Sequence, residues 1–347
     1  MNKRISWVAC SLSMLGLFGC GGEQPAPVAP APPPAPLEPT PAAATPVAAT
    51  PATPVPPAPA GPNLKLRVVT GSPEGFLANS ALVTGEKDAV LIDAQFTIAD
   101  GKRVADAVKE SGKNLTFVYV THSHPDHYFG FVSIREAFPN AKLVALPTTV
   151  EEIKKTWEAK VKQWKPLYKE SITAKPFLPE PLIGTTLELE GEKLELAGGV
   201  QGDDANNSYV WIPSLRAAVA GDIVYDHVFP WTAETTPPDR QKWIAALDAL
   251  SARNPALVVP GHQKPERSQS PEDIKFTRDY LIAYDEALAK SEKPADLQAK
   301  MKAKYPDAAL DVILKLGAEA SFKKPAASDA AGKKASAADA GSKKPAK

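Results

Sequence analysis

From residue 64 onward, short apolar runs alternate with amphipathic stretches. The segments "LKLRVVT" (64–70), "SALVTG" (80–85) and "DAVLID" (88–93) are rich in β-branched residues and bounded by Gly, Pro or Asp. This predicts three strands. Asp100 to Glu110 sets Val104, Ala107 and Val108 on one face, the spacing of a helix. "LTFVYVT" (115–121) has the length of a buried strand, "REAF" (135–138) starts a short helix, and "KLVAL" (142–146) is a further buried strand. Thr149 to Lys169 reads as a longer helix and "LELEGEKLELAG" (187–198) as a hairpin, followed by strands at "YVWI" (209–212) and "AAVAGDIV" (217–224). "DRQKWIAALDAL" (239–250) is amphipathic, "ALVVPGH" (256–262) is a last strand, and 271–321 reads as helical. Strands and helices alternating in two successive blocks predict a layered α/β fold.

The strand ending at Thr121 runs directly into "THSHPDHYFG", which holds three of the chain's five histidines. Residues two apart in extended chain project to the same side, so His122 and His124 can grip one ion together. Asp126 and His127 follow the turn at Pro125 and can aim at a neighbouring point. Imidazole with carboxylate suits Zn²⁺, and also Fe²⁺ or Mn²⁺. A surface loop with capping residues is the plain alternative, and four such side chains within six positions weigh against it.

The same segment resembles the HxHxDH signature of the metallo-β-lactamase-fold superfamily. "SALVTGEKDAVLIDAQ", "AGDIVYD" and "VVPGH" agree with it as well. The resemblance implies an αββα sandwich of the metallo-β-lactamase type, with two divalent metal ions at one edge between the sheets. It places His122 and His124 in one metal site and Asp126, His127 and His262 in the other, with Asp222 bridging them. Asp93 is similar to a buried aspartate that supports the histidine loop. One position departs: the family's further histidine falls in "VQGDDANN", where Asp203 takes its place and Asp204 and Gln201 compete. His227, five residues past Asp222, is a candidate for the substrate pocket. Trp157, Trp164 and Tyr168 follow helical spacing, which more often signals core than a substrate platform.

Composition then narrows the setting. Lys+Arg and Asp+Glu balance at 40 each, while residues 323–347 hold seven lysines and two aspartates. The folded stretch is therefore net acidic and has no basic stripe, which argues against nucleic acid. Both cysteines, Cys10 and Cys20, precede that stretch, so no thiolate site or disulfide is expected in it. Lys3 and Arg4 followed by an apolar run predict a signal peptide over 1–20. "LFGC" resembles a bacterial lipoprotein box, which implies lipidation at Cys20 and an envelope location, with the outer membrane favoured. The Pro/Ala-rich 21–62 predicts a disordered tether, 63–322 the catalytic domain, and 323–347 a disordered Lys/Ala tail.

Two ions in such a set acidify a shared water and polarise a carbonyl. The leading expectation is a metal-dependent hydrolase of a small-molecule ester, lactone, thioester or amide, with Asp126 as a catalytic proton acceptor. A mononuclear iron enzyme acting on a persulfide and a non-catalytic envelope-binding module are the alternatives. Zinc is the first expectation for the metal, with iron or manganese behind it.

Overall fold

The computed structural model describes residues 63–323. The expected signal peptide, lipidation site Cys20, tether and, apart from residue 323, the tail lie outside them. The first half runs β1 (Lys65–Thr70), β2 (Asn79–Thr84), β3 (Asp88–Ile92), α1 (Ile98–Ser111) and β4 (Asn114–Val120). It continues through α2 (Phe131–Ala137), β5 (Lys142–Ala145), α3 (Pro147–Tyr168) and β6 (Glu180–Pro181). The second half opens with β7 (Thr186–Leu189), β8 (Glu192–Val200), β9 (Asn207–Ile212) and β10 (Ala217–Val219). β11 (Tyr225–Asp226), α4 (Pro237–Ala252), β12 (Leu257–Val259) and β13 (His262–Gln263) follow, then α5 (Glu272–Ala289), α6 (Pro294–Lys304) and α7 (Asp311–Ser321).

Six strands form one sheet in sequence order, and β12-β10-β9-β8-β7 form a second. The period of two along each strand explains how they stack. Val90 and Ile92 of β3, Tyr119 of β4, Val210 and Ile212 of β9, and Ala217 and Val219 of β10 share one buried cluster between the sheets. The alternate residues, Leu91, Val118, Val120, Trp211 and Ala218, join a second cluster with Val104, Val108, Ile134, Trp243 and Leu247 from the helices. This is the αββα sandwich expected from the sequence.

Local chemistry sets the helix ends. The Thr97 hydroxyl accepts from Asp100 N, and Gly112 closes α1 at φ 67°. Thr236 and Asp239 form a reciprocal capping box at α4, with Pro237 in its first turn.

Three expectations shift. α2 ends in "REAF" instead of starting there: Phe131, Ser133 and Ile134 are buried, and Pro139 bars continuation. The strand expected over 217–224 stops at Val219, because Gly221 turns the chain at φ 50° into a short 3-10 turn, Gly221–Ile223. The helical C-terminal region is three helices, and Pro294 opens the second.

Backbone hydrogen bonds staple the histidine loop to the turn after β3: Ala94 N donates to His127 O (2.8 Å) and Gly130 N to Gln95 O (2.8 Å). α1 crosses this loop at Gly101, where an added Cβ would run into the Gly130 carbonyl. Gly101→Ala should therefore force the loop and α1 apart and cost about 1–3 kcal/mol, read from the denaturant midpoint at unchanged m-value. An unchanged midpoint would mean that the close approach is unimportant.

Candidate metal centre

Each candidate ligand lies just beyond a strand, at one edge of the sandwich. β4 delivers His122 and His124, and a 3-10 turn, Pro125–His127, presents Asp126 and His127. Asp203 sits between β8 and β9, Asp222 in the turn after β10, and His262 at the start of β13. The fold brings them into two groups: His122, His124, Asp203 and Asp222, and Asp126, His127 and His262. Within each group the inward-facing ligand atoms all lie within 4.8 Å of one another.

Asp222 stands between the groups. Its Oδ2 is 3.8 Å from His122 Nε2 and 3.1 Å from His262 Nε2, and its Oδ1 is 3.1 Å from His127 Nε2. Asp203 Oδ2 lies 2.8 Å from His124 Nδ1, and Oδ1 lies 3.9 Å from His122 Nε2. Asp126 Oδ2 is 3.4 Å from His262 Nε2.

Outer partners fix which nitrogen of each ring faces inward. The buried Asp93 accepts from Thr121 N (2.9 Å) and Thr121 Oγ1 (2.9 Å), and its Oδ2 lies 2.8 Å from His127 Nδ1. A carboxylate only accepts, so His127 carries its proton on Nδ1 and leaves Nε2 bare. Thr121 Oγ1 spends its proton on Asp93 and is left to accept from His122 Nδ1 at 3.0 Å. His262 Nδ1 donates to Phe76 O at 2.6 Å. His124 Nε2 faces Glu234 Oε1 at 3.4 Å. Neutral rings held in this way turn His122 Nε2, His124 Nδ1, His127 Nε2 and His262 Nε2 as lone pairs toward the carboxylates. Buried acceptors that face one another need a cation or protons between them. His127 Nε2 and Asp222 Oδ1 indeed have no hydrogen-bond partner. The donor set fits two divalent ions, with outer hydrogen bonds of the kind that orient metal-binding histidines.

The charges of the metal-free protein show what such ions compete with. Burial drives the Asp203 carboxyl up, to about 7. Burial also lowers the imidazoles, and it prevails at His122, where His127 adds to it. At His124 burial is overcome by the carboxylates Asp203 and Glu234, which raise the pKa, and at His127 Asp222 and Asp93 do the same. Protons and metal therefore contend for the same nitrogens.

Asp203 is buried in this constellation, whereas Asp204 is spent locally. The Asp204 carboxylate accepts from Asn206 N (2.8 Å), Asn207 Nδ2 (2.9 Å) and Ser123 Oγ (3.4 Å). Gln201 donates to backbone oxygens of Gly202 and Asp204. His227 corrects the sequence expectation, because it does not line the cleft. Its Nδ1 bonds Asp226 (2.6 Å) and its ring stacks on Phe276 at 4.6 Å. A left-handed backbone at φ 49° carries it that way.

Three participants escaped sequence reasoning. The Tyr225 hydroxyl donates to Asp222 Oδ2 at 2.6 Å, and its ring stacks parallel to His262. Glu234 touches His124 and pairs with Lys160 Nζ at 3.1 Å. Tyr225 stood three residues past Asp222, a faint signal. Glu234 and Lys160 had none, since tertiary folding alone brings them in. A cleft opens onto the centre, and Trp164 is among its lining residues.

The chain matches the Metallo-beta-lactamase superfamily over residues 73–262, more than half its length, and it belongs to that superfamily. It is similar to a metallo-beta-lactamase family protein, TTHA1429, from Thermus thermophilus: 18% identity, 75% of this chain and 91% of that one, TM-score 0.54. A metallo-beta-lactamase from Pontibacter korlensis aligns at 19% identity over 63% of this chain and 94% of that one, TM-score 0.49. At 18% identity the likeness to the Thermus protein concerns fold alone. An uncharacterized protein of Bacillus subtilis (strain 168), YobT, is 34% identical over 76 residues, 22% of this chain and 32% of that protein. The chain thus spans about a third of the length of this curated relative.

The roles of the two adjacent aspartates can be separated by metal analysis. Asp203→Ala should bind about one divalent ion per chain where the parent binds about two, and Asp204→Ala should keep both. Loss in Asp204→Ala with retention in Asp203→Ala would reverse the assignment.

Proposed function

We propose that this chain is a metal-dependent hydrolase acting on an uncharged ester or lactone, with zinc as the metal first expected. Superfamily membership and the His/Asp groups support a metal-dependent, hydrolase-like protein at the coarse level. The observation that carries the finer reading is that His124, Asp126, Asp203, Asp222 and His262 line one cleft together with apolar side chains such as Phe76, Trp164 and Phe229. When bound, the two ions would supply Lewis acidity and an acidified water. His122, His124 and Asp203 would hold one, and Asp126, His127 and His262 the other, with Asp222 shared.

The remaining work falls to the chain's own side chains. Asp126 lines the cleft and is partly accessible, so its carboxylate is placed to take and return a proton during attack on a carbonyl. Tyr225 holds the Asp222 carboxylate in place. Three carboxylates against two doubly charged ions leave little net positive charge. Lys160, the one Lys or Arg among the described lining residues, is paired to Glu234. An anionic substrate would find weak attraction here, which favours a neutral one. A single-iron reading would leave Asp126, His127 and His262 as converging acceptors without a cation, so no observation favours it.

Asp126→Asn keeps the shape and removes the proton acceptor. Its kcat on an ester and lactone panel should fall on the order of a hundredfold or more, with the melting transition unmoved. Undiminished turnover would remove Asp126 from the reaction.

The envelope anchor remains part of the proposal through the lipobox-like "LFGC". In a bacterial host, Cys20→Ser should abolish acylation and leave soluble protein or unprocessed precursor. A cleaved variant still bound to membrane would contradict anchoring.

A further inference from the structure

Residues 263–323 lie beyond the stretch matched to the superfamily, yet the chain returns from them to the cleft. The return is held rigidly. Ala309 N donates to His227 O (2.9 Å) and Phe229 N to Ala309 O (3.0 Å), so 227–229 and 309 pair like parallel strands just past Tyr225. α7 rests directly on the loop after β11, because a Cβ at Gly317 would collide with the Thr232 hydroxyl. Between the paired Ala309 and the first residue of α7 stands Leu310, at φ 68° and ψ 51°. A bulky leucine is rarely found in this left-handed region, and a strained residue that persists at a cleft points to a role there.

That role is visible in where the side chains go. Leu310 and Ile313, three residues apart, both line the cleft. Val312 between them is 50% exposed, and Leu314 is in the core. Phe76, Trp164, Phe229 and Trp231 supply the other apolar walls. They come from the loop before β2, from α3 and from the loop after β11, and His124, Asp126, Asp203, Asp222 and His262 line the same cleft.

We infer that the Leu310–Ile313 turn is the specificity wall of this cleft: the substrate carries an apolar acyl or alkyl group that lies against it, and these two side chains limit its length. The inference rests on reading the cleft as the substrate site of a hydrolase. At Leu310 a large side chain lines the cleft on a strained backbone that glycine would adopt without strain, and glycine would leave the side-chain space open.

The test uses probes that cannot be hydrolysed. Methyl ketones from 2-butanone to 2-dodecanone are titrated calorimetrically into the zinc-loaded full chain. Affinity should rise about three- to fourfold per methylene until the chain meets the wall, and then stop rising. Leu310→Gly, which suits the backbone and should fold, and Ile313→Ala should each move that limit to longer ketones. Val312→Ala should leave it where it is. Absence of ketone binding, affinity independent of chain length, or an unmoved limit in both variants overturns the inference. If the limit moves but no ester, lactone, thioester or amide is hydrolysed, the wall stands and the hydrolase reading falls. If esters turn over and the limit stays, the reverse holds.

Discussion

The structure depends on a cluster of acceptors that cannot be buried alone. Four imidazole lone pairs and three carboxylates converge at one edge of the sandwich, most of them out of contact with solvent. Such a cluster repels itself unless cations or protons enter it. The fold therefore has to hold the ligands against their own repulsion, and much of the surrounding polar architecture does so. Asp93, itself at φ 62°, ties Thr121 and His127 together and thereby fixes two rings. Phe76 O accepts from His262, and the Glu234 carboxylate faces His124 at 3.4 Å.

Glycines complete this support by allowing close backbone approach. Gly221 turns the chain after β10 so that Asp222 enters the centre, and a Cβ at Gly261 would press on the Asp222 carboxylate itself. Gly202 packs beside Asn207, whose amide holds Asp203 at 3.0 Å. Small residues at these points are a steric requirement of the site.

The strand pattern was legible because period-two alternation survives wherever a sheet buries one face in the other. The candidate ligands that gather here were named from sequence because a histidine pair in extended chain is a local feature, and the superfamily resemblance pointed to the distant ones. Asp203 and Asp204 are adjacent in sequence and share the Asn207 amide, and only the folded chain distinguishes them, by the bonds of Asp204 to Asn206 N and Ser123 Oγ and of Asp203 to His124. His227 misled because sequence proximity to Asp222 says nothing about a positive φ that swings its ring onto Phe276. Glu234, Lys160 and the Leu310–Ile313 wall were hidden for one reason: each reaches the cleft from an element far along the chain, with no local motif.

We propose that both groups bind ions at once and share Asp222. Crystals of the metal-loaded protein, measured at the absorption edge of the bound metal, test this directly through anomalous difference density. Two peaks are expected, one among His122, His124 and Asp203, the other among Asp126, His127 and His262, with Asp222 reaching both. A single peak at full metal loading, or peaks away from these residues, would contradict it.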